Sequence, residues 1–365
     1  MSSWAITYSV DAQSQRIYTF AVGSDNHLHV KYWNWVKPLA LWADLGTPSG
    51  TLVVTGPGAT TYHQGGRTGK QRIYAFVVGA DHHLHVNYWT GTQWQWTNQG
   101  TPSGTTPWVT SAITFYKAPK QQIYAFVASQ NGHLHVNYWN GTKWAWADQG
   151  TPSGTIVFSS PSVITYLDAS KQRIYAFVAG ENGHLCVNYW NGAKWTWTDL
   201  GTPPGTTVAQ GLAISKVPPA GITFYRARKQ RIYVFVVGGN GHLYVKYWNG
   251  AKWTWADQGA PSGTTVEASP APAVITYVEG GKQRIYAFVV GADHHIHVNY
   301  WTGTQWQWAD QGTPSGTVVL GPIAAITFYK ARKQRIYAFA WCSDGRLHMN
   351  YWNGAKWTWA DQGKP

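Results

Sequence analysis

Short apolar runs separated by turn residues extend along the whole chain. Between residues 274 and 311, four such runs are rich in Val, Ile, Tyr, Phe and Trp, and polar or glycine-rich residues bound each of them. The runs are Val274–Tyr277, Arg284–Gly291, His295–Trp301 and Trp306–Gln311. β-branched and aromatic residues favour strands, and turn residues at such short intervals favour an antiparallel meander. The pattern therefore predicts four antiparallel strands, and no helical periodicity competes with it.

The same four-strand pattern recurs along the chain, marked each time by an Arg-Ile-Tyr tripeptide or a close copy of it. Its isoleucine occurs at Ile17, Ile73, Ile123, Ile174, Ile232, Ile285 and Ile336. Four-stranded repeats of about 50 residues are typical of propeller blades, and β-solenoid repeats are usually shorter. We therefore predict an all-β fold, a single seven-bladed β-propeller with four-stranded antiparallel blades, over residues 1–365. The predicted blades are approximately 5–50, 59–104, 112–154, 163–205, 221–263, 274–316 and 325–365. The pattern does not decide which strand closes the ring.

Asn-Gly and Asp-Gly pairs between the predicted strands indicate tight hairpins. In the last repeat these pairs are Asp344-Gly345 and Asn353-Gly354. If both form two-residue turns, the alternation of side chains along a strand assigns the residues of the blade to two faces. The aromatic face would hold Tyr337, Phe339, Trp341, His348, Asn350, Trp352, Trp357 and Trp359. The other face, mainly aliphatic, would hold Ile336, Ala338, Ala340, Leu347, Met349 and Tyr351.

Tryptophan is concentrated at two places in the repeat, a Trp-x-Trp motif on the last strand and a Tyr-Trp pair before it. A sugar ring has an apolar C–H face and a rim of hydroxyl groups, so a flat aromatic platform with polar groups beside it can bind one. Packing between blades is the alternative role, because burying a large side chain stabilises by roughly 1.5–3 kcal/mol. The candidate sugar-binding residues of the Trp-x-Trp motifs are Trp94, Trp96, Trp144, Trp146, Trp195, Trp197, Trp253, Trp255, Trp306, Trp308, Trp357 and Trp359. Those of the Tyr-Trp pairs are Tyr88, Trp89, Tyr138, Trp139, Tyr189, Trp190, Tyr247, Trp248, Tyr300, Trp301, Tyr351 and Trp352.

The repeats differ at positions that would affect these sites. Ala40 stands where the first repeat would have the first Trp of its motif. Lys31 and Lys246 replace an Asn that the other repeats share, and Cys186 and Tyr244 replace an inner His. We therefore expect fewer than seven competent sites of one type.

The chain is rich in aromatic residues and strongly basic. Aromatic residues make up 16% of its 365 residues, and the formal net charge is +13. Such an excess of positive charge favours acidic partners, and basic residues interleaved with aromatic ones are typical of single-strand nucleic-acid binding. The basic runs lie at the first hairpin of each repeat, distant in sequence from the Trp-x-Trp strand, so nucleic acid is the less favoured alternative to carbohydrate. A protein-interaction scaffold is the third alternative, and it does not account for the tryptophans.

Targeting signals and cysteines add little. No run approaches the roughly 20 apolar residues of a membrane span, and no secretory signal is visible. We expect no membrane span and action outside the cell without a recognisable signal peptide, with cytoplasmic storage as an alternative. Two cysteines, Cys186 and Cys342, exclude a disulfide-stapled scaffold. Cys342 occupies a predicted loop, so we expect it to be exposed, and the oligomeric state stays open.

Catalysis and metal binding are not expected. Cleaving a glycosidic bond requires two carboxylates at a defined separation, but the repeated Asp residues all occupy one position of the repeat. His82, His83 and His85 resemble metal ligands, yet a structural zinc site usually has four ligands and these histidines recur as part of the predicted aromatic face. We therefore predict that the protein is not an enzyme and that it needs neither a cofactor nor a metal.

The sixth repeat reads KQRIYAFVVGADHHIHVNYWTGTQWQWADQGTPSGT, which resembles the repeat of the Photorhabdus-type seven-bladed propeller lectins. The resemblance covers the whole chain. It implies cell-surface glycans as partners, with L-fucose and related or O-methylated sugars bound in clefts between neighbouring blades. It also implies two kinds of site, one more hydrophobic and one more polar. The Trp-x-Trp motifs and Tyr-Trp pairs match the aromatic sites, and Ala40 puts the cleft of the first repeat in doubt.

Overall fold

A computed structural model describes residues 3–9, 15–33, 42–64, 70–117, 120–168, 171–211, 216–226, 229–330 and 333–365. These residues form seven four-stranded sheets, and each sheet contains four consecutive strands in sequence order. Neighbouring strands within a sheet pair antiparallel. The all-β fold and the seven blades predicted from the sequence are confirmed. No helix occurs among the described residues, so none of them forms a helix that could cross a membrane.

Blades 1 to 4 use the first sixteen strands. Blade 1 contains β1 (Ser3–Ser9), β2 (Gln15–Val22), β3 (Leu28–Trp33) and β4 (Trp42–Asp44). Blade 2 contains β5 (Gly58–Gln64), β6 (Lys70–Val78), β7 (Leu84–Trp89) and β8 (Trp94–Asn98). Blade 3 contains β9 (Pro107–Lys117), β10 (Lys120–Ser129), β11 (Leu134–Trp139) and β12 (Trp144–Asp148). Blade 4 contains β13 (Ser162–Asp168), β14 (Lys171–Ala179), β15 (Leu185–Trp190) and β16 (Trp195–Asp199).

Blades 5 to 7 use the remaining twelve strands. Blade 5 contains β17 (Ala220–Arg226), β18 (Lys229–Val237), β19 (Leu243–Trp248) and β20 (Trp253–Asp257). Blade 6 contains β21 (Ala273–Glu279), β22 (Lys282–Val290), β23 (Ile296–Trp301) and β24 (Trp306–Asp310). Blade 7 contains β25 (Val319–Lys330), β26 (Lys333–Cys342), β27 (Leu347–Trp352) and β28 (Trp357–Asp361).

The hydrophobic core lies between neighbouring blades. In blade 5, Phe235 on β18 and Leu243 on β19 are fully buried. They belong to one cluster with Ile285, Ala287 and Val289 of β22, in blade 6. Since a sheet with two apolar faces must cover both of them, each blade is stabilised by the blades on either side, and the ring is the arrangement that leaves neither face bare.

Blade 7 meets blade 1 without exchanging a strand. The first strands β1 and β25 lie against each other. The backbone N–H of Tyr329 donates to the Oε1 atom of Gln15 at 2.8 Å, and Nε1 of Trp42 donates to the carbonyl oxygen of Gln362 at 3.2 Å. The N-terminal strand therefore belongs to blade 1, and side-chain hydrogen bonds close the ring.

The predicted assignment of residues to the two faces of a blade is wrong for the second strand. In blade 7, Ala338 pairs with Asn350, and Asn350 pairs with Trp359, so these three residues share a face. Tyr337 pairs with Tyr351 on the opposite face. The second and third strands are joined by a five-residue connection, because Trp341 pairs with Leu347, and the odd difference from the predicted two-residue turn inverts the second strand.

The connection between the third and fourth strands also differs from the predicted two-residue turn. Trp139 pairs with Trp144, which leaves four residues in the turn. The Oδ1 atom of Asn140 accepts hydrogen bonds from the backbone N–H groups of Thr142 and Lys143 at 2.9 and 3.0 Å. Within this turn, Gly141 is the one residue with a positive φ, of 100°. The Asn side chain therefore organises the turn by hydrogen bonding, and the even difference leaves the faces of the fourth strand as predicted.

The expectation that Cys342 is exposed is also wrong. β26 extends to Cys342, and only 5% of the residue is exposed. Cys186 is fully buried on β15, and both cysteines are free. Burial raises the pKa of each thiol to about 12, so both remain protonated and unreactive at neutral pH.

Candidate functional site

A cleft between blades 5 and 6 brings predicted site residues from both blades together. It encloses about 550 Å³, within the range of about 300–1,000 Å³ that is common for small-molecule sites. Blade 5 contributes two tyrosines, and blade 6 contributes three tryptophans and an asparagine. These residues are Tyr233, Tyr247, Asn299, Trp301, Trp306 and Trp308.

The rings of this cleft form two aromatic groups that face each other. Tyr233 and Tyr247 of blade 5 are stacked, with ring centroids 5.7 Å apart and an interplanar angle of 19°. Trp301 and Trp306 of blade 6 lie 5.5 Å apart at 56°. All four rings are only half-buried. The cleft therefore offers a partly open aromatic surface on each side.

Tyr300 and Trp301 are neighbours in sequence but belong to different clefts. Successive side chains on β23 point to opposite faces, so Trp301 faces blade 5 while Tyr300 packs in the cluster shared with blade 7. Each Tyr-Trp pair thus contributes to two clefts. In the last repeat the sequence already placed Tyr351 and Trp352 on opposite faces of the blade, and the strand pairing agrees with this.

The first Trp of each motif packs against the preceding blade. Trp306 meets the fully buried ring of Phe235 edge to face, with centroids 5.8 Å apart. Six blades share this contact, at 5.7–6.0 Å. The tryptophans are Trp94, Trp144, Trp195, Trp253, Trp306 and Trp357. These residues contribute to inter-blade packing as well as to the cleft.

The second Trp of each motif is hydrogen-bonded to the preceding blade. Nε1 of Trp308 donates to the carbonyl oxygen of Gln258 at 2.8 Å, and the equivalent bond recurs in all seven blades. The donors are Trp42, Trp96, Trp146, Trp197, Trp255, Trp308 and Trp359. The indole N–H is therefore used within the protein, and only the ring face is left for a ligand.

A buried amide lies beside the tryptophans and lacks a partner. Asn299 is 1% exposed and lines the cleft. Its Nδ2 and Oδ1 atoms form no hydrogen bond with the described residues. Oδ1 is likewise unpaired in the equivalent residues Asn87, Asn137, Asn188 and Asn350. Since a buried polar group is costly to leave unsatisfied, a ligand hydroxyl group that bonds to this amide would be stabilised.

Two clefts contain a lysine in place of the asparagine. The ammonium group of Lys246 lies 4.8 Å from the centroid of the Trp255 ring, as a cation–π contact. Lys31 lies between Trp33 and Trp42, and its Nζ atom donates to the carbonyl oxygen of Gln362 at 2.5 Å. Burial lowers the pKa of both lysines. In these two clefts a lysine ammonium group therefore lies against the tryptophans where the other clefts have an amide.

The cleft between blades 7 and 1 has a different aromatic composition. Trp33 packs on Phe339 with ring centroids 5.5 Å apart, where the first Trp of the motif meets the equivalent Phe in the other blades. Ala40, which replaces that Trp, lies outside the described residues. The clefts therefore differ in composition at Trp33 and Lys31, and the number of clefts that bind sugar stays a prediction.

The tyrosines of the second strands were missed as members of this site. Burial raises the pKa of Tyr286 to about 12, so its hydroxyl group stays protonated at neutral pH. The equivalent residues are Tyr18, Tyr74, Tyr124, Tyr175, Tyr233, Tyr286 and Tyr337. They follow the isoleucine of the repeat. The wrong length of the next turn placed them on the same face as the tryptophans of their own blade, whereas in the structure they face the tryptophans of the next blade.

The histidines lie near the turns between the second and third strands, where they pair with aspartates. Nδ1 of His295 is 3.0 Å from Asp310, and Nε2 of His297 is 3.0 Å from Asp293. Asp293, His295 and His297 hold potential ligand atoms within 4.8 Å of one another. His297 already bonds to Asp293 and His295 to Asp310, so these hydrogen bonds stabilise the loop. That the protein needs no metal stays a prediction.

The fold is shared with several solved lectins. BP39L lectin from Burkholderia pseudomallei aligns over 98% of this chain and 97% of its own, with a TM-score of 0.68 and 20% identity. AofleA from Arthrobotrys oligospora aligns over 84% of this chain and 86% of its own, with a TM-score of 0.53 and 14% identity. The six-bladed lectin of Aleuria aurantia aligns over 85% and 96%, with a TM-score of 0.51 and 16% identity.

Sequence comparison adds nothing to this result, since no family model and no curated protein matches the chain. The structural likeness covers nearly the whole of BP39L lectin and extends to a lectin described as a six-bladed propeller. The resemblance predicted from the repeat is therefore confirmed at the level of the fold: the chain is a β-propeller of the kind found in these lectins.

Proposed function

We propose that the protein is a multivalent lectin that binds L-fucose and related or O-methylated sugars in the aromatic clefts between its blades. The observation that carries this proposal is the cleft between blades 5 and 6. There, half-buried Trp306 and Tyr247 provide ring faces for the apolar side of a pyranose. The unpaired amide of Asn299 lies buried beside these rings, and its donor and acceptor would bond to hydroxyl groups of the sugar once the side chains that cover them move.

The choice of sugar is supported by the structural neighbours. The Aleuria aurantia lectin is described as fucose-specific, and SapL1 lectin is known in complex with α-methyl fucoside. These proteins share the propeller fold with this chain at 14–17% identity. The aromatic clefts of this chain suit the apolar face of a deoxy or O-methylated sugar, because such a face has few hydroxyl groups to desolvate.

Weak individual sites would act together. A monosaccharide of about 11 non-hydrogen atoms gains only about 4–5 kcal/mol at a typical ligand efficiency, which corresponds to a Kd near the millimolar range. Clefts arranged around a ring can engage several glycans on one cell surface and raise avidity by roughly 10²–10⁴. Cell-surface glycans encountered outside the cell are therefore the proposed partners, and the proposed role is binding without catalysis.

Calorimetric titration with methyl α-L-fucoside tests the proposal. Binding should persist when the salt concentration is raised, because the sugar is neutral, and methyl α-D-glucoside should compete poorly. Trp306→Phe should reduce the total heat by the share of one cleft, whereas Gln305→Ala, in the exposed turn of the same blade, should not. If the protein instead binds single-stranded oligonucleotides with a steep dependence on salt and gives no heat with the fucoside, the nucleic-acid alternative is correct.

A further inference from the structure

The two ends of the blades carry opposite charge. The ends of the fourth strands and the turns between second and third strands, here called the linker face, are acidic. Six fourth strands end at Asp44, Asp148, Asp199, Asp257, Asp310 and Asp361. The opposite end, here called the hairpin face, contains the turns between first and second strands and those between third and fourth strands. Because strands in a meander alternate in direction, all these turns lie at one end of the ring.

The hairpin face is basic from the axis to the rim. Near the axis, four second strands begin with exposed lysines, and near the rim four turns carry another exposed lysine each. The lysines near the axis are Lys70, Lys171, Lys229 and Lys282. Those near the rim are Lys143, Lys194, Lys252 and Lys356. Among the described residues of this face, the acidic positions are Asp168 and Glu279, and Glu279 pairs with Arg284.

The basic runs that are distant from the tryptophans in sequence are close to them in space. The Arg284 guanidinium group contacts the turn that contains Gly303, between Trp301 and Trp306. The separation in sequence, which favoured carbohydrate over nucleic acid, is therefore no argument against a shared surface. The hairpin face has to be explained by its own composition.

Exposed apolar side chains stand among these lysines. The second-to-last residue of the first strand is exposed by 42–48% in four consecutive blades. The four residues are Leu167, Tyr225, Val278 and Tyr329. Exposed aliphatic and aromatic side chains clustered on one surface indicate an interaction site, whereas electrostatic binding alone does not require them.

Each of these positions is fixed by the next blade. The backbone N–H of Tyr225 donates to the Oε1 atom of Gln283 at 2.6 Å, and that of Tyr329 donates to Gln15 at 2.8 Å. The backbone N–H groups of Leu167 and Val278 likewise donate to glutamine side chains of the following blades, at 2.5 and 2.6 Å. The apolar side chains are thus held on a rigid ring, all at the same end of the blades.

We propose that the hairpin face is a docking surface for an anionic phospholipid bilayer. The lysines attract negatively charged headgroups, and the two tyrosines, with Leu167 and Val278, enter the boundary between headgroups and acyl chains. Tyrosine is enriched at this boundary, and basic residues near a membrane surface bind anionic lipid. The acidic linker face is repelled by the same lipids, so the ring binds in one orientation. This surface does not include the aromatic clefts' asparagines, and the proposal is independent of sugar binding.

A second copy of the chain or a polyanion such as heparin would use the lysines without burying the apolar side chains in lipid. Lysines and apolar side chains spread over one end of several blades match a bilayer surface better than a linear polymer, which needs a groove to follow. These two partners are therefore outcomes against which the bilayer is tested.

Co-sedimentation with glycan-free vesicles tests the proposal. The full chain should bind vesicles that contain phosphatidylserine and should bind vesicles of phosphatidylcholine alone at least tenfold less. Replacing Leu167, Tyr225, Val278 and Tyr329 by Ser should weaken binding to the anionic vesicles at least tenfold. Replacing Lys143, Lys194, Lys252 and Lys356 by Gln should do the same, and this second variant leaves the strands untouched. Methyl α-L-fucoside should have no effect.

The matched control is on the linker face, where Val54 and Leu320 are exposed by 56% and 54%. Val54→Ser with Leu320→Ser should bind anionic vesicles like the unmodified protein. The proposal is overturned if this control loses as much binding as the hairpin variants, or if both vesicle types bind equally. It is also overturned if vesicles fail to bind while heparin or an oligonucleotide does. Salt-sensitive self-association in sedimentation velocity, abolished by the lysine variant, together with no vesicle binding, would assign the face to a second copy.

Discussion

The indole Nε1 atom of Trp308 donates a hydrogen bond to the backbone carbonyl oxygen of Gln258, 2.8 Å away in the preceding blade. The equivalent bond from Trp42 to Gln362 joins the first blade to the last. The structural role of the Trp-x-Trp motif and the sugar-binding role that we propose for it therefore lie on different parts of the same residues. The N–H group of its second Trp links neighbouring blades of the propeller, and the faces of the indole rings remain for a ligand.

Trp308→Phe should reduce the free energy of unfolding by about 1–3 kcal/mol, because it leaves the Gln258 carbonyl oxygen without its partner. Urea unfolding followed by circular dichroism measures this change. Lys252→Ala, at an exposed turn, is the control and should shift the midpoint little. A Trp308→Phe midpoint equal to that of the unmodified protein would show that the bond between blades contributes nothing.

The number of competent clefts should change with the residue that replaces the asparagine. Asn299→Lys should remove one site, because the lysine side chain would lie over Trp308 as Lys246 lies over Trp255. Lys246→Asn should add one site, since the amide leaves room beside the ring. Native mass spectrometry with methyl α-L-fucoside counts the bound sugars. Equal counts for both variants and the unmodified protein would remove Asn299 from the site.

Acid should destabilise the ring through its aspartates. The Arg346 hydrogen bond lowers the pKa of Asp361, and the backbone N–H of Gly363 adds to this effect. Burial by itself would raise the pKa of Asp148, but hydrogen bonds from Gly150 and His133 outweigh it and lower the pKa. A carboxylate with a lowered pKa stabilises the fold above its unfolded value, near 3.8, and this stabilisation is lost as the pH falls through the folded value.

The melting temperature should therefore be nearly constant from pH 5 upwards with respect to these groups and fall below about pH 4. Asp148→Asn should make this fall less steep, since an amide does not titrate. Blade 2 provides the precedent, because Asn98 occupies the same position and accepts the N–H of Gly100 at 2.7 Å. If the melting temperature of the variant fell as steeply with acid as that of the unmodified protein, Asp148 would not contribute to the acid sensitivity.

His82→Gly should stabilise the protein by about 0.5 kcal/mol. His82 has a φ of 62° in a turn where the equivalent Gly132 of blade 3 has 76°. A residue with a side chain is strained in this region by roughly 1–2 kcal/mol, which exceeds the 0.5–1 kcal/mol entropic cost of Gly. Thermal unfolding measures the difference, and Gly132→His should show the opposite shift. A lower melting temperature for His82→Gly would contradict this explanation.

The sequence predicted the fold because the repeat specifies the blade seven times. It predicted which tryptophans share a face of the blade, because Trp-x-Trp recurs at one position of a strand whose faces were assigned correctly, and their role in binding sugar stays a prediction. It did not predict that Tyr337 faces away from Trp352, because an Asp-Gly pair does not reveal that Trp341 and Leu347 enclose five residues. When the length of a turn is wrong by an odd number of residues, every side chain of the adjoining strand is assigned to the wrong face of the sheet.

The membership of a cleft could not be predicted for a second reason. Tyr233 and Trp306 are contributed by different blades, and their contact depends on how two sheets pack rather than on any local pattern. The hydrogen bond from Trp308 to Gln258 has the same origin. Sequence periodicity describes a single sheet, so it identifies which residues share a face of one blade. It does not show which residues of the neighbouring blade they meet across the cleft.

A crystal structure with methyl α-L-fucoside would show whether the clefts between blades bind the sugar. We expect a pyranose between blades 5 and 6, with its apolar face on the ring of Trp306 or Tyr247 and a hydroxyl group within hydrogen-bonding distance of Asn299. Sugar bound only outside the inter-blade clefts, or side chains that fill the cleft and leave no room for a pyranose, would contradict it.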